Sequence, residues 1–167
     1  YFLNIGRLTK QKNQTLLIDT FSNLIKRDKN IFLYIAGDGE QKKFLKKKIL
    51  NHNLQGNIFL LGYCKNIFPL IKNSRAVISA SLWEDPGAVM VEAAYCNKIV
   101  ISSNCPNGPE EFLNNGQGGY LFQNNNPKDL EAKINNFLTD KEDIKFKKTI
   151  ISKKNSKNYS NIVLLSY

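Results

Sequence analysis

Short runs of consecutive apolar residues recur along the chain, and segments with a helical spacing of apolar residues separate them. The six runs are residues 1–5, 31–36, 58–61, 76–79, 99–102 and 119–122. Within a run the residues do not alternate in polarity, which predicts strands that are buried on both faces. Strands separated by helices pair in parallel through right-handed crossovers. The sequence therefore predicts an α/β fold, a Rossmann-like three-layer α/β/α sandwich with a parallel sheet.

The helical segments set the expected domain organisation. Helices are predicted at about residues 13–28, 42–49, 67–72, 88–95 and 128–138, with a further helix opened by Pro109. No Gly/Ser-rich or Pro-rich linker interrupts this pattern, so residues 1–138 are expected to form one domain, followed by a Lys- and Asn-rich helical tail at residues 139–167. The chain begins on a strand without an initiating Met, which predicts that another segment precedes it in the native protein.

Length and composition exclude several classes of protein. With 167 residues and 42% hydrophobic content, the chain fits one domain with a buried core. No apolar run is long enough to cross a bilayer, and the first residues do not resemble a signal peptide. Cys64, Cys96 and Cys105 show no C-x-x-C spacing, which indicates a reducing cytoplasm rather than a disulfide framework or a zinc site. The single histidine, His52, lies in a polar segment, which argues against a Ser-His-Asp triad or a His-rich metal centre.

The formal net charge of +10 predicts an anionic partner or a strongly solvated surface. Lysines cluster at residues 42–48, around Phe44, Leu45 and Ile49, and again at residues 141–157. A solvated helix face is the favoured interpretation, and a basic amphipathic helix on an anionic membrane is the alternative. Nucleic acid is disfavoured, because no binding motif or aromatic stacking platform accompanies the charge.

Residues 79–92 combine an acidic loop with the start of a helix. Glu84 lies in the loop after the fourth apolar run, Pro86 and Gly87 form a turn, and a short helix follows to about Tyr95. The first amides of that helix, at residues 87–89, have no helical partner. They offer N–H groups and a partial positive charge to an anion such as a phosphate.

Two carboxylates, those of Glu84 and Glu92, bracket this helix start. A carboxylate repels phosphate but accepts hydrogen bonds from hydroxyls. The pair therefore indicates a ligand with a phosphate in its middle and a polyol at each end, such as a nucleotide sugar. The alternative is that two solvated glutamates occur at this spacing by chance. Apolar or small residues surround Glu92, which predicts a buried helix and a carboxylate that needs partners.

The loop after the first apolar run contains Gly6, Arg7 and Lys12. A forked guanidinium and a compact ammonium are a common pair for binding a diphosphate. The loop is neither a P-loop nor a G-x-G-x-x-G motif. The alternative is that Arg7 and Lys12 are surface charges where the chain enters the first helix.

These motifs together resemble the C-terminal, donor-binding domain of the family 4 GT-B glycosyltransferases, the group known as glycosyl transferases group 1. The matching pieces are Gly6-Arg7-Leu8 with Lys12-Asn13, and residues 35–39, 59–63, 81–92, 104–111 and 118–122. The resemblance covers residues 1 to about 138. It implies that this domain binds a nucleotide sugar.

The resemblance also implies roles for individual residues. Arg7 and Lys12 would contact the donor diphosphate, Glu84 would hold hydroxyls of the transferred sugar, and Glu92 would bind the ribose. The expected catalytic residues are Arg7, Lys12 and Glu84, and the expected donor-binding residues are Gly6, Tyr63, Pro86, Gly87, Ala88, Val89 and Glu92. The family retains anomeric configuration without a metal or other cofactor, and no Asp-x-Asp motif is present here.

The function implied is transfer of a hexosyl or N-acetylhexosaminyl group, with a UDP-sugar as the expected donor, to a glycan or lipid-linked acceptor in bacterial surface polysaccharide or oligosaccharide synthesis. Relatives often have Glu-Gly-Phe-Gly where this chain has residues 84–87, Glu-Asp-Pro-Gly, so the preferred donor is open. The expected partner is an N-terminal acceptor-binding domain, without which the chain should be inactive. A cytoplasmic location, with peripheral contact to an anionic membrane, is expected. The alternative function is a non-catalytic nucleotide-binding or membrane-binding module of the same fold.

Overall fold

The computed structural model describes residues 1–84, 87–145 and 147–149. Strands and helices alternate along the whole of this part of the chain. In order, the elements are β1 (Phe2–Ile5), α1 (Gln14–Arg27), β2 (Leu33–Ala36), α2 (Lys42–Asn51), β3 (Ile58–Gly62), α3 (Phe68–Asn73), β4 (Val77–Ser79), α4 (Ala88–Tyr95), β5 (Val100–Ser103), α5 (Pro109–Phe112), β6 (Tyr120–Phe122) and α6 (Pro127–Thr139). All six apolar runs overlap a strand, which starts up to two residues later than the run and ends at most one residue beyond it.

The six strands form one sheet in the order β3-β2-β1-β4-β5-β6, and every neighbouring pair is parallel. The predicted Rossmann-like α/β fold is confirmed. Strand order reverses between β1 and β4, since the chain builds outward from β1 to β3 and then returns to build outward again from β4. In sheets of this kind, ligands bind beyond the carboxyl ends of the strands at that reversal.

Helices cover both faces of the sheet and produce two hydrophobic clusters. On one face, α1, α2 and α6 pack over a large cluster in which the ring of Phe2 contacts the rings of Phe21 and Phe137 edge to face. On the other face, α3 and α4 pack over a smaller cluster that includes Ile71 and Met90. The large cluster anchors β1, whose carboxyl end carries the Arg7 loop.

The described part of the tail contacts the domain. Residues 141–145 and 147–149 are helical, and Ile144 packs against the large cluster. The Nζ atom of Lys147 donates a hydrogen bond of 2.6 Å to the carbonyl of Gly116 and lies 4.8 Å from the centre of the Tyr120 ring. The remaining tail residues, including Lys153, Lys154 and Lys157 of the second lysine cluster, lie outside the described residues.

None of the helices in the described ranges combines the length and the apolar character needed to cross a membrane.

Candidate functional site

The loops after three strands meet the start of α4 where strand order reverses. They enclose an open cavity of about 420 Å³ that is lined by the ends of β1 and β2, the loop after β3, and the first turns of α4. Six of the ten predicted site residues line it: Gly6, Arg7, Tyr63, Ala88, Val89 and Glu92. The fold therefore brings together residues that are up to 86 positions apart in the sequence, from Gly6 to Glu92.

Glycine allows the loops to approach so closely. The amide of Gly37, after β2, donates a 2.8 Å hydrogen bond to the carbonyl of Gly62 at the end of β3. On its other side, Gly37 lies against the carbonyl of Gly6, with no room for a side chain. Gly37 thus locks three loops together and forms part of the cavity wall. Sequence reasoning gave it no role at the site, although the Gly37-Asp38-Gly39 turn marks a strand end.

The two predicted site cations of the β1 loop, Arg7 and Lys12, occupy different positions. Arg7 is exposed and lines the cavity. Lys12 lies with its methylene groups over Gly6, and its Nζ atom donates to both carboxylate oxygens of Glu84, at 2.9 and 2.8 Å. The predicted pair is therefore split, because one cation faces the cavity and the other holds a predicted sugar-binding glutamate.

Glu84 is buried, with 7% of its surface exposed, within a hydrogen-bond network that sequence reasoning did not identify. The Ser81 hydroxyl donates to Oε1 of Glu84 at 2.5 Å, and the Ser103 hydroxyl donates to the carbonyl of Ser81 at 2.5 Å. The backbone amide of Glu84 donates to the carbonyl of Pro106 at 3.2 Å. The loops after β4 and β5 therefore fix Glu84 from two sides. Serines near the ends of β4 and β5 were the signal available in the sequence.

The start of α4 has the open geometry that was predicted. Gly87 is the residue before the helix, and no side chain caps the helix at this position. Within the described ranges, no hydrogen bond engages the amides of residues 87–89, and Ala88 and Val89 line the cavity. Pro86, also predicted as a site residue, lies outside the described residues. The N-terminal end of α4 therefore presents free N–H groups and a partial positive charge toward the same cavity as Arg7.

The prediction that α4 is buried nearly all round is wrong. Only Met90, Ala93 and Ala94 are buried, because α4 packs on the sheet with one side and borders the cavity with another. Glu92 is half-buried, and no hydrogen bond joins its carboxylate to another described residue. The expected protein partner is therefore not observed, and burial raises the pKa of Glu92 above its usual range.

This raised pKa predicts a pH-dependent cost to stability. A carboxyl group whose pKa is higher in the folded chain than in the unfolded chain makes its full contribution to stability below the ordinary glutamate pKa. That contribution is lost as the pH rises through the pKa of the folded chain. We expect Glu92→Gln to be more stable than the wild type at neutral pH, with the difference vanishing below about pH 4. Urea midpoints measured at several pH values test this. Glu142→Gln, at an exposed position outside the cavity, is the matched control. A difference for Glu92→Gln that does not change with pH would contradict the prediction.

Two further charged side chains, those of Asp38 and Lys65, line the cavity. Asp38 lines the cavity and pairs with Lys42 at 2.6 Å, and this hydrogen bond lowers the pKa of the Asp38 carboxyl. Lys65 also lines the cavity, in the loop after β3 that carries the predicted donor-binding residue Tyr63. Among the described residues, no three His, Cys, Asp or Glu side chains lie close enough together to hold a metal ion. The cavity is therefore bordered by cations, helix amides and one carboxylate without a bonded protein partner.

The fold and this cavity define a Rossmann-like domain with a candidate ligand site at the strand-order reversal. Comparison with known proteins identifies the particular family. Residues 1–157 match the family described as glycosyl transferases group 1, and the chain belongs to this family.

Relatives and solved structures agree with this assignment. The chain is 45% identical over 112 residues to a glycosyltransferase of Methanocaldococcus jannaschii, covering 67% of this chain and 28% of that protein. It is 31% identical over 131 residues to the poly(ribitol-phosphate) alpha-N-acetylglucosaminyltransferase of Staphylococcus aureus, covering 78% of this chain and 27% of that protein. A crystal structure of a variant of Staphylococcus aureus TarM with fondaparinux, alpha-GlcNAc-glycerol and UDP superposes with a TM-score of 0.89 at 27% identity. The match covers 98% of this chain and 34% of the TarM chain.

The chain spans only about a quarter to a third of the length of these proteins. This partial coverage agrees with the C-terminal domain of a GT-B glycosyltransferase, and the predicted family and fold are confirmed.

Proposed function

We propose that this chain is the donor-binding domain of a retaining, metal-independent glycosyltransferase that uses a nucleotide sugar, with a UDP-sugar as the expected donor. The observation that carries the proposal is the cavity at the strand-order reversal. There Arg7, the uncapped start of α4 and the Glu92 carboxylate face one space of about 420 Å³. Cations and amides suit a diphosphate, and a carboxylate beside them suits the hydroxyls of a ribose.

The proposed chemistry depends on the charge that builds on the leaving group. When the bond between the sugar and the diphosphate breaks, negative charge accumulates on the phosphate oxygens. Arg7 and the amides of residues 87–89 are donors at the edge of the cavity that would stabilise this charge. The amides are held in place by the helix backbone, so they would do so with little reorganisation. The absence of an Asp-x-Asp motif, together with Arg7 at the cavity, supports a mechanism in which protein groups replace a metal.

The network around Glu84 supports its proposed role in holding the transferred sugar. Lys12, Ser81 and Ser79 already donate to Oε1, but Oε2 accepts only from Lys12 among the described residues and can accept a further hydrogen bond. A sugar hydroxyl would therefore meet a pre-positioned acceptor. Lys12 connects this acceptor to the loop that carries Arg7, so the sugar and diphosphate subsites would share one rigid support.

The relatives' names support the donor and acceptor classes. The TarM complex contains UDP, and the related staphylococcal enzyme transfers an N-acetylglucosaminyl group to poly(ribitol phosphate). We infer that this chain serves transfer of a hexosyl or N-acetylhexosaminyl group to a glycan or lipid-linked acceptor in the cytoplasm. A separate acceptor-binding domain is needed for transfer, so the chain alone should bind the donor without transferring the sugar.

A binding titration tests the proposal directly. The 167-residue chain is expected to bind UDP and UDP-hexoses more tightly than GDP or ADP compounds, and binding should persist in EDTA. Arg7→Ala and Glu92→Ala should each weaken binding of the UDP-sugar by about tenfold or more, because each removes a charged hydrogen-bonding group.

Two variants outside the cavity are the matched controls for this titration. Arg75→Ala and Glu142→Ala remove exposed charges of the same kinds away from the cavity, and they should leave the affinity unchanged. Unchanged affinity in Arg7→Ala and Glu92→Ala would refute the placement of the site. Loss of binding in EDTA would refute the metal-independent mechanism.

A further inference from the structure

A basic and apolar surface lies along the free edge of the sheet. Lys43, Lys46, Lys47 and Leu50 follow one another on α2 at intervals of three, one and three residues, so they share one helix face. All four are exposed. We call Lys43, Lys46 and Lys47 the lysine stripe. It carries no acidic residue, since α2 contains none.

An apolar groove adjoins the lysine stripe. Its volume is about 420 Å³, and it is lined by Ile49 and Leu50 of α2, by residues 58–61 of β3, and by Lys42 and Lys46 at its rim. Three of the apolar side chains are strongly exposed: Leu50 at 57%, Phe59 at 36% and Leu61 at 37%. Phe59 is held in place by an edge-to-face contact with Tyr34, at 5.2 Å between ring centres. β3 is the last strand of the sheet, so within the described residues no strand covers its outer side.

The charges of the stripe are available to a partner. Two other lysines of α2 are paired: Lys42 with Asp38 at 2.6 Å and Lys48 with Asp19 at 2.7 Å. The three lysines of the stripe form no ion pair with any described residue. A cluster of lysines without acidic partners is attracted to an anionic surface. The exposed apolar side chains beside it are stabilised by leaving water for an apolar medium.

We propose that this edge of the sheet docks on an anionic phospholipid bilayer. The lysine stripe contacts the lipid phosphates, and Leu50, Phe59 and Leu61 enter the boundary between headgroups and acyl chains. A nucleic acid would meet the same charges, but Phe59 is the one aromatic side chain among the lining residues, and its ring already packs on Tyr34. Lysines beside an exposed strand also discourage pairing between sheet edges, and that role predicts no affinity for lipid.

The docking surface and the donor cavity are neighbours along β3. Leu61 lines the groove, and Tyr63, two residues further on, lines the cavity. A docked chain would therefore hold the mouth of the cavity close to the headgroups, within reach of a lipid-linked acceptor. That consequence rests on the proposed donor function, whereas lipid binding itself does not.

Vesicle co-sedimentation tests the proposal with a matched pair of triple variants. Lys43→Gln, Lys46→Gln and Lys47→Gln together remove the stripe, while Lys26→Gln, Lys72→Gln and Lys128→Gln together remove the same charge from exposed lysines on other elements. The wild type should bind vesicles of phosphatidylcholine that contain phosphatidylglycerol, and should not bind pure phosphatidylcholine. Loss of the stripe should weaken binding by more than about tenfold, and the control variant should lose much less.

Equal losses in both triple variants would overturn the proposal, because net charge alone would then explain the binding. No binding of the wild type to the anionic vesicles would overturn it as well. So would stripe-dependent binding to single-stranded RNA that exceeds binding to the vesicles. Donor titration of the stripe variant separates the two proposals, since its affinity for the UDP-sugar should equal that of the wild type.

A fluorescence experiment tests the apolar part of the surface. Trp83 is the single tryptophan, so Leu50→Trp in a Trp83→Phe background places one reporter at the groove. On anionic vesicles its emission should shift to the blue and be quenched by brominated acyl chains. An unchanged emission spectrum on vesicles that bind the chain would refute insertion of this edge.

Discussion

Gly37→Ala is expected to lower the free energy of unfolding by about 3 kcal/mol or more, because a methyl group has no space there and the backbone disfavours one. A Cβ atom at this position would lie 1.9 Å from the carbonyl oxygen of Gly6 and 2.8 Å from its carbonyl carbon. Both contacts are with backbone, so no side-chain rotation relieves them. The φ angle of +146° also lies in a region that residues with a side chain rarely adopt.

The consequence extends to the candidate site, because Gly37 joins the loops after β1, β2 and β3. Relief of the clash must move Gly6 and with it Arg7, or break the 2.8 Å hydrogen bond from Gly37 to Gly62. Urea denaturation measures the loss, and a donor titration measures any damage to the cavity. Gly56→Ala is the matched control, since nothing lies within 4 Å of an added Cβ there. Equal stability of the two variants would contradict the interlocked loops.

Lys12→Met is expected to lower the free energy of unfolding by about 2 kcal/mol, because it leaves the buried Glu84 carboxylate without its cation. Lys12 and Glu84 side chains are only 20% and 9% exposed, so water compensates poorly for the lost partner. Among the described side chains, Ser81 at 2.5 Å and Ser79 at 3.5 Å would then be the remaining donors to the carboxylate. This loss of stability should greatly exceed the loss that follows removal of one partner of an ion pair on the surface.

A double-mutant cycle isolates this interaction. In Lys12→Met with Glu84→Gln, the amide oxygen still accepts from Ser81 and no charge is left unpaired, so the combined loss should be smaller than the sum of the two single losses by about 1 kcal/mol or more. Lys42→Met is the control, because Lys42 pairs with Asp38 at 2.6 Å but both side chains are about half exposed. Its loss should stay below about 0.5 kcal/mol. Additive single losses, or a Lys12→Met effect no larger than that of Lys42→Met, would show that the pair contributes little.

The fold could be predicted from the sequence because its signals are local. Apolar runs such as residues 1–5 and 31–36 are long enough to predict a strand. The helical spacing of apolar residues in segments such as residues 13–28 predicts the helices that connect the strands. Parallel pairing then follows from chain connectivity. The boundaries shifted by one or two residues, because strand ends depend on hydrogen bonds to a neighbouring strand that the local pattern does not contain.

The candidate site was predicted in part. Residues near strand ends, such as Arg7 and Tyr63, could be placed at one edge of a parallel sheet, and the uncapped start of α4 follows from Gly87. The serines around Glu84 could not be assigned, because hydroxyls near strand ends are common and their partners lie on other strands. The burial of Glu92 was overestimated, since composition reveals apolar neighbours but not which side of a helix borders a cavity.

The sequence by itself therefore determined the order of strands and helices, the parallel sheet, and the edge at which ligand-binding residues gather. Only the tertiary structure decided that Lys12 pairs with Glu84 while Arg7 faces the cavity, and that the lysine stripe lies beside an apolar groove. Those outcomes depend on distances between residues far apart in the chain. Periodicity encodes which side of an element is buried, but packing in three dimensions decides which side chains meet.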